Sequence, residues 1–381
     1  MDFELTREQV DIRRAVREFA EKEFTSDFAR QCDQREEFPR DLYRRAADLG
    51  FVSPHVPAEY GGQGLGYMER GLCTEEFCRA DSTLGTALTL GPFGSDLILM
   101  YGTEEQKKKY LPKITSGQWA SSGAFTEPGH GSDLTIIDTT ATPDGEGWTI
   151  NGTKTLISNA PIADFAVVYC QTTPGVQYRG QSLFVVDKGT EGFSVTKLEG
   201  KMGIRASLLG EISLSNCCVP AESLVGEKNR GFSHILEFLD KGRIGVAFEA
   251  VGIAQGAIER AIKYARERTQ FGQRVIDFQV IQHKLADMLT QVEAARLLSY
   301  KAAWNVDKGR TIPELSSMAK AFATTTAVRV VDDALQIFGG YGYLADYDLE
   351  RYYRDIRITT LYEGTTEIQK NTIARMFLNK K

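Results

Sequence analysis

The sequence predicts an α+β protein in three parts: an N-terminal all-α domain (1–122), a middle β domain (123–232) and a C-terminal helical bundle domain (233–381). Three observations carry the prediction. In the first and last parts, apolar residues recur at three- and four-residue spacing, the period of one buried helix face. Between them that period gives way to short runs of β-branched and aromatic residues set off by Gly, Pro and polar clusters. No glycine-rich turn joins a β-strand to a helix, which excludes a wrapped dinucleotide-binding sheet.

The elements follow in order. Val10, Ile12, Val16 and Phe19 are spaced for one buried face of a first helix. Pro54 and Pro57 break the helical pattern, and Tyr60-Gly61-Gly62-Gln63-Gly64 reads as a loop. A second helical region runs from Tyr67 to Tyr101 with an interruption at Gly91-Pro92, and Glu104, Glu105 and Lys107 to Lys109 open an exposed helix. In the β domain, Asn151-Gly152 is a turn pair suited to a two-residue hairpin. Phe165 to Tyr169, Ser182 to Val186 and Glu211 to Leu214 read as strands, enough for a small barrel or sandwich. After Gly231 three long amphipathic helices follow, the third carrying Met318, Phe322, Val328, Val331, Leu335 and Phe338. Short polar links between them favour an antiparallel bundle.

Composition narrows the function. A chain of 381 residues with 42% hydrophobic and 25% charged residues is ordinary for a globular protein with a large core. The net charge of −6 argues against nucleic acid or an anionic membrane as partner. It leaves room for an anionic small ligand held by local donors. The six cysteines lack metal-ligand spacing and the four histidines are scattered, so no metal site is expected. Adjacent Cys217 and Cys218 pair poorly, which suggests reduced thiols and a cytoplasmic setting. The acidic start does not resemble a signal peptide, and no apolar run reaches the ~20 residues that span a membrane.

Three stretches carry candidate chemistry. Phe125-Thr126-Glu127-Pro128-Gly129-His130-Gly131-Ser132-Asp133 is a tight loop whose amides could face an anion or a flavin edge, or could merely link domains. Arg268-Thr269-Gln270-Phe271-Gly272, at a helix end, offers a guanidinium, an amide and an aromatic ring for a pyrophosphate and an adenine; it also reads as a polar C-cap. In Leu361-Tyr362-Glu363-Gly364-Thr365-Thr366, a carboxylate between a tyrosine and a glycine can lose solvent and become a stronger base. The alternative is a helix start capped by Thr365 or Thr366, with Glu363 solvated.

Together with Pro57 to Gly62, Lys201-Met202-Gly203-Ile204-Arg205 and Gln336 to Gly342, these stretches resemble the acyl-CoA dehydrogenase family of flavoenzymes, in joint order and over essentially the whole chain. The resemblance implies an α domain, a β-barrel and a four-helix bundle, with FAD as cofactor and an acyl-CoA as substrate. It implies that Glu363 removes the α-proton while the β-hydrogen leaves as hydride to flavin N5. Phe125, Thr126, Ser158 and Thr365 match flavin contacts. Arg268, Gln270, Phe271, Gln336 and Gly340 match contacts to the adenosine-pyrophosphate half across a subunit interface. Ser132, Asp240, Arg243, Tyr362 and Gly364 match substrate contacts. A homotetramer built as two dimers and an electron-transferring flavoprotein as acceptor are implied as well. The base position that some relatives use on an earlier helix is Gly242 here.

Two departures stand out: Leu156 replaces the usual Trp beside the flavin, and Gly123 replaces a bulkier residue. An acyl-CoA oxidase, a dehydrogenase of carrier-protein-bound acyl groups, a short-chain or glutaryl-CoA-type enzyme and a non-catalytic flavin-binding relative are the alternatives. Gly85 falls about where glutaryl-CoA dehydrogenases place an arginine, and Ala87, Gly91, Gly94 and Ser95 are also small. This points to a compact, branched or alicyclic acyl group such as cyclohexanecarboxyl, the alternative being that these glycines only allow close helix packing; Asp96 is a candidate second carboxylate in the pocket, with an outward-facing or capping role favoured over it.

Overall fold

A computed structural model describes residues 4–378. The N-terminal part holds α1 (Arg7–Glu23), α2 (Ser26–Arg35), α3 (Arg40–Asp48), α4 (Tyr67–Ala80), α5 (Ser82–Leu90), α6 (Ser95–Tyr101) and α7 (Glu104–Thr115). Their starts are set locally. Thr6 and Gln9 form a capping box at α1, Thr103 and Gln106 another at α7, and Asp81 accepts from Leu84 N to cap α5. Val16 and Ala20 are buried as the helix period requires, but Val10 is 41% exposed, one turn beyond the packed face.

The small residues of α5 and its surroundings serve close packing. A Cβ on Gly85 would lie 2.6 Å from the backbone N of Cys78, and one on Gly91 would lie 2.8 Å from Cζ of Tyr43. These glycines therefore let α5 approach its neighbours; widening a pocket is not their role.

The middle part is a mixed sheet of β1 (Ser121–Ala124), β2 (Thr140–Asp144), β3 (Gly147–Ser158), β4 (Phe165–Gln171), β5 (Gln181–Asp187), β6 (Phe193–Leu198), β7 (Leu209–Pro220) and β8 (Leu224–Val225). The order is β6-β7-β3-β2-β4-β5-β8, with β1 parallel to β4 and β2 joined to β4 only at Thr140–Gln171. The sheet curls around one core that takes Ala141 and Ile150 from one half, Val168 and Phe184 from the other. Alternation explains why β4 and β5 read as unbroken apolar runs. Phe165, Val167 and Leu183 face the N-terminal helices, while Ala166, Val168 and Phe184 face the sheet's own core.

The expected hairpin at Asn151-Gly152 is not there. Those residues lie inside β3, at a register shift against β7, and the turn falls at Gly145-Glu146 instead. Gly152 is needed because a Cβ would come within 2.6 Å of the Thr139 Cα.

The last part contains α8 (Gly231–Glu267), α9 (Gln279–Asp307), α10 (Pro313–Phe338), α11 (Leu349–Ile356) and α12 (Thr366–Leu378). Helix α10 packs against α8, α9 and α12, and α4 lies along α8. In α10 the buried stripe is Ala319, Ala323, Ala327, Val330 and Ala334, while Phe322 is 42% exposed. Val331 and Phe338 of the expected face are buried and Val328 packs against the same core, but close helix–helix approach selects small side chains, so the stripe is centred on the alanines. Among the described residues no helix is long and apolar enough to cross a membrane. All six cysteines are free thiols.

Candidate active site

The turn before α12 is built from the backbone outward. Glu363 has φ +50° and Gly364 φ +91°, so a non-glycine residue sits in the left-handed region. That conformation costs energy and persists only where surroundings enforce it. Gln369 Nε2 donates to Glu363 O at 3.1 Å and to Gly364 O at 2.8 Å, and Lys320 Nζ reaches Gly364 O at 2.7 Å from α10. Thr365 Oγ1 accepts from Ile368 N at 3.4 Å and caps α12. The helix-start reading is thus correct for Thr365, but Glu363 is only partly exposed. Its Oε2 is buried without a hydrogen-bond partner. The carboxyl lies on α8 where Gly242 leaves room: a Cβ at residue 242 would be 2.9 Å from its Cδ. Burial pushes the Glu363 carboxyl up to about 7, against the pull of Arg243, Lys320 and Arg70.

The turn forms one wall of a cavity of about 520 Å³. Phe125, Thr126, Ser132, Ser158, Tyr362, Glu363, Gly364 and Thr365 all line it, together with the apolar Leu90, Phe93 and Leu239. The Thr126 loop is fixed from behind by an ion pair without exposed atoms. Lys154 Nζ donates to Phe125 O at 3.2 Å and to Glu127 Oε1 at 2.7 Å, while Glu127 also accepts from the backbone N of Asp138 and Thr139. Leu156, with φ +55° at a bulge of β3, is 59% exposed and also lines the cavity.

The other predicted residues lie elsewhere. Arg268, Gln270, Gln336 and Gly340 line a second cavity of about 490 Å³, and the Arg268 guanidinium stands 5.5 Å from the ring centre of Tyr341. Phe271 is 94% exposed and lines neither cavity. Asp240 and Arg243 pair with each other at 2.5 Å on α8 and do not line the main cavity; Arg243 acts on Glu363 through its charge. Asp96 is clamped by His55 Nε2 at 2.9 Å and Arg70 Nη1 at 2.6 Å, which hold it ionised and outside the cavity lining. Sequence reasoning missed Lys320, Gln369 and Glu249. The first and last were visible as lone charges on otherwise apolar faces, among Ala319 and Ala323, and among Val246, Ala250 and Ile253.

This geometry is matched by family comparisons. Residues 6–118, 122–217 and 229–378 match the N-terminal, middle and C-terminal domains of acyl-CoA dehydrogenases. The chain belongs to the acyl-CoA dehydrogenase family. It is 42% identical to the Caffeyl-CoA reductase-Etf complex subunit CarC of Acetobacterium woodii, over 97% of this chain and 98% of that one. It is 41% identical to the human mitochondrial short-chain specific acyl-CoA dehydrogenase, over 94% of this chain and 87% of the relative. Its structure superposes on butyryl-CoA dehydrogenase from Megasphaera elsdenii with a TM-score of 0.95 at 35% identity, covering 100% of both chains.

This acyl-CoA dehydrogenase is an FAD-dependent oxidoreductase, and its side chains suit the cofactor. Among the described residues the hydroxyls of Thr126 and Ser158 have no protein partner and face the main cavity. The Arg268 guanidinium, without an acidic partner among the described residues, faces the second one, as an anionic pyrophosphate requires.

Proposed function

We propose that this acyl-CoA dehydrogenase desaturates a short or compact acyl-CoA between its α- and β-carbons, with Glu363 as the base. The observation that carries the reading is the carboxyl of Glu363: half-buried, with Oε2 sealed and unpartnered, and raised to about 7 on the wall of the main cavity. A proton next to a thioester carbonyl is a weak acid, so a base made stronger by lost solvent suits its removal. The rigid turn aims the carboxyl, and the apolar walls of Leu90, Phe93 and Leu239 keep water from the reacting carbons. FAD, when bound, accepts the electrons and hydrogen that leave the β-carbon. Thr126, Ser158 and Thr365 would hold its flavin, and Arg268, Gln270, Phe271, Gln336 and Gly340 its other half. Ser132, Asp240, Arg243, Tyr362 and Gly364 would attend the substrate.

The similarity to short-chain and butyryl-CoA dehydrogenases supports a small acyl group. The similarity to a subunit of an Etf complex supports an electron-transferring flavoprotein as partner. The open second cavity supports a dimer, paired into a tetramer, that shares the cofactor. Anaerobic titration with butyryl-, cyclohexanecarboxyl-, glutaryl- and palmitoyl-CoA, read by flavin bleaching, tests the acyl group. Butyryl- or cyclohexanecarboxyl-CoA should bleach the flavin at the lowest concentration. Palmitoyl- or glutaryl-CoA as best substrate would overturn it, and rapid hydrogen peroxide formation in air would make the protein an oxidase.

A further inference from the structure

Helix α8 touches both residues of the Tyr362-Glu363 pair. Gly242 lies against the Glu363 carboxyl, and two turns along the same face the Glu249 carboxylate accepts a hydrogen bond from the Tyr362 hydroxyl. Glu249 is 2% exposed, and its other oxygen accepts from Thr86 Oγ1 of α5 at 2.9 Å. No cation among the described residues bonds it. An ionised group so placed is expensive to keep, and a plain packing role would be served at least as well by an apolar side chain.

We propose that Glu249 is a positioning residue for proton abstraction: by holding the Tyr362 phenol it fixes the neighbouring strained Glu363 over Gly242. This rests on the reading of Glu363 as the base. The chain of contacts is short. The phenol is tied to α8 and, through Thr86, to α5, so the turn is pinned at Tyr362 as firmly as Lys320 and Gln369 pin it at Gly364.

A second consequence is electrostatic. Burial raises Glu249 to about 7, the same region as Glu363, and each carboxylate disfavours the charge of the other. Around Glu249 stand Tyr362 and Glu363 from the turn, Cys78 from α4, Asp355 from α11 and Lys320 from α10. Around Glu363 stand Arg243 from α8, Lys320 from α10 and Arg70 from α4. Neutralising Glu249 removes a like charge and lowers the pH at which Glu363 ionises.

The test uses FAD holoenzyme and anaerobic flavin reduction by butyryl-CoA between pH 5.5 and 9. Glu249→Ala and Tyr362→Phe should each slow reduction about tenfold at pH 8, and the double variant should lose little more than either one. Glu249→Gln keeps an acceptor for the phenol but no charge. It should move the acid limb of the profile down by at least ~0.5 pH unit as the like charge is removed. Additive losses in the double variant, or a Glu249→Gln profile that overlays the parent, would overturn the proposal. Should Glu249→Ala fail to fold, Tyr362→Phe decides the positioning role, since it removes the same contact from the other side, and a parental reduction rate in it would overturn the proposal. A Glu363→Gln variant that still reduces flavin would instead refute the base assignment, whatever Glu249 does.

Discussion

The Tyr362–Thr365 turn and the Arg268–Gly272 segment each end beside a cavity, yet they are held in different ways. The turn is gripped by Gln369 of α12, Lys320 of α10 and Glu249 of α8, and its carboxyl has no water-facing outlet at Oε2. The segment stands in the open: Phe271 is 94% exposed, and the Arg268 guanidinium stands over the ring of Tyr341 with no acidic partner among the described residues. Chemistry that needs a fixed, desolvated base is finished within one chain. The segment proposed to hold the other half of FAD is left open, the form expected of a surface that a second subunit would complete.

The largest break in this contrast is Glu363→Gln. It should retain FAD and bind acyl-CoA while flavin reduction slows by at least ~10²-fold, the usual scale for a lost positioned base. Near-normal stopped-flow reduction would remove Glu363 from its role. Gly242→Ala attacks the same turn from outside. A methyl there meets the Glu363 carboxyl, so reduction should slow by roughly tenfold or more, as a displacement approaching ~1 Å does, with FAD content unchanged. A variant with parental rates would mean that the carboxyl is not held over α8.

How far the sequence reached follows the same divide. The three-part architecture and the strands were legible because a 3.6- or 2-residue period survives wherever one face is buried. Glu363, Thr126, Ser158 and Ser132 lie in short local motifs, which is why the sequence could single them out, and all four line one cavity, where their roles are proposals. What escaped depends on distant pairing. Nothing near Lys320 in sequence announces that its ammonium holds Gly364 O, since the contact spans α10 and the final turn. Whether Asp96 reached the pocket was open in the sequence, and His55 and Arg70, from separate elements, hold both its oxygens. The small residues around α5 left two readings open because glycine beside a neighbouring backbone and glycine beside a cavity look alike in one dimension.

At the open end the effects are smaller. Arg268→Ala should weaken FAD retention about tenfold, the value of one charge-assisted contact, and loosen subunit association with it. Gel filtration beside flavin content checks both. A stable monomer with full FAD would show that the second cavity needs no partner.

The smallest effect is a matter of protonation. A base raised to about 7 is half ionised at pH 7. Flavin reduction should therefore be about half its plateau at pH 7 and fall about tenfold per pH unit well below that. The sign is fixed by the reaction, because the protonated carboxyl cannot accept the substrate's proton. It also fixes the stability trend. The folded chain holds protons on Glu363 and Glu249 that the unfolded chain, near the ordinary glutamate value of 4.5, has released. Stability from this pair is thus greatest below about pH 4.5 and declines as pH rises towards about 7. Guanidinium and phenyl groups do not titrate in this range, so FAD retention at the Arg268 end should stay flat between pH 6 and 8 while the reduction rate changes. Parallel pH dependence of the two quantities would mean that the closed turn and the open segment are not independent, and the contrast between them would have to be abandoned.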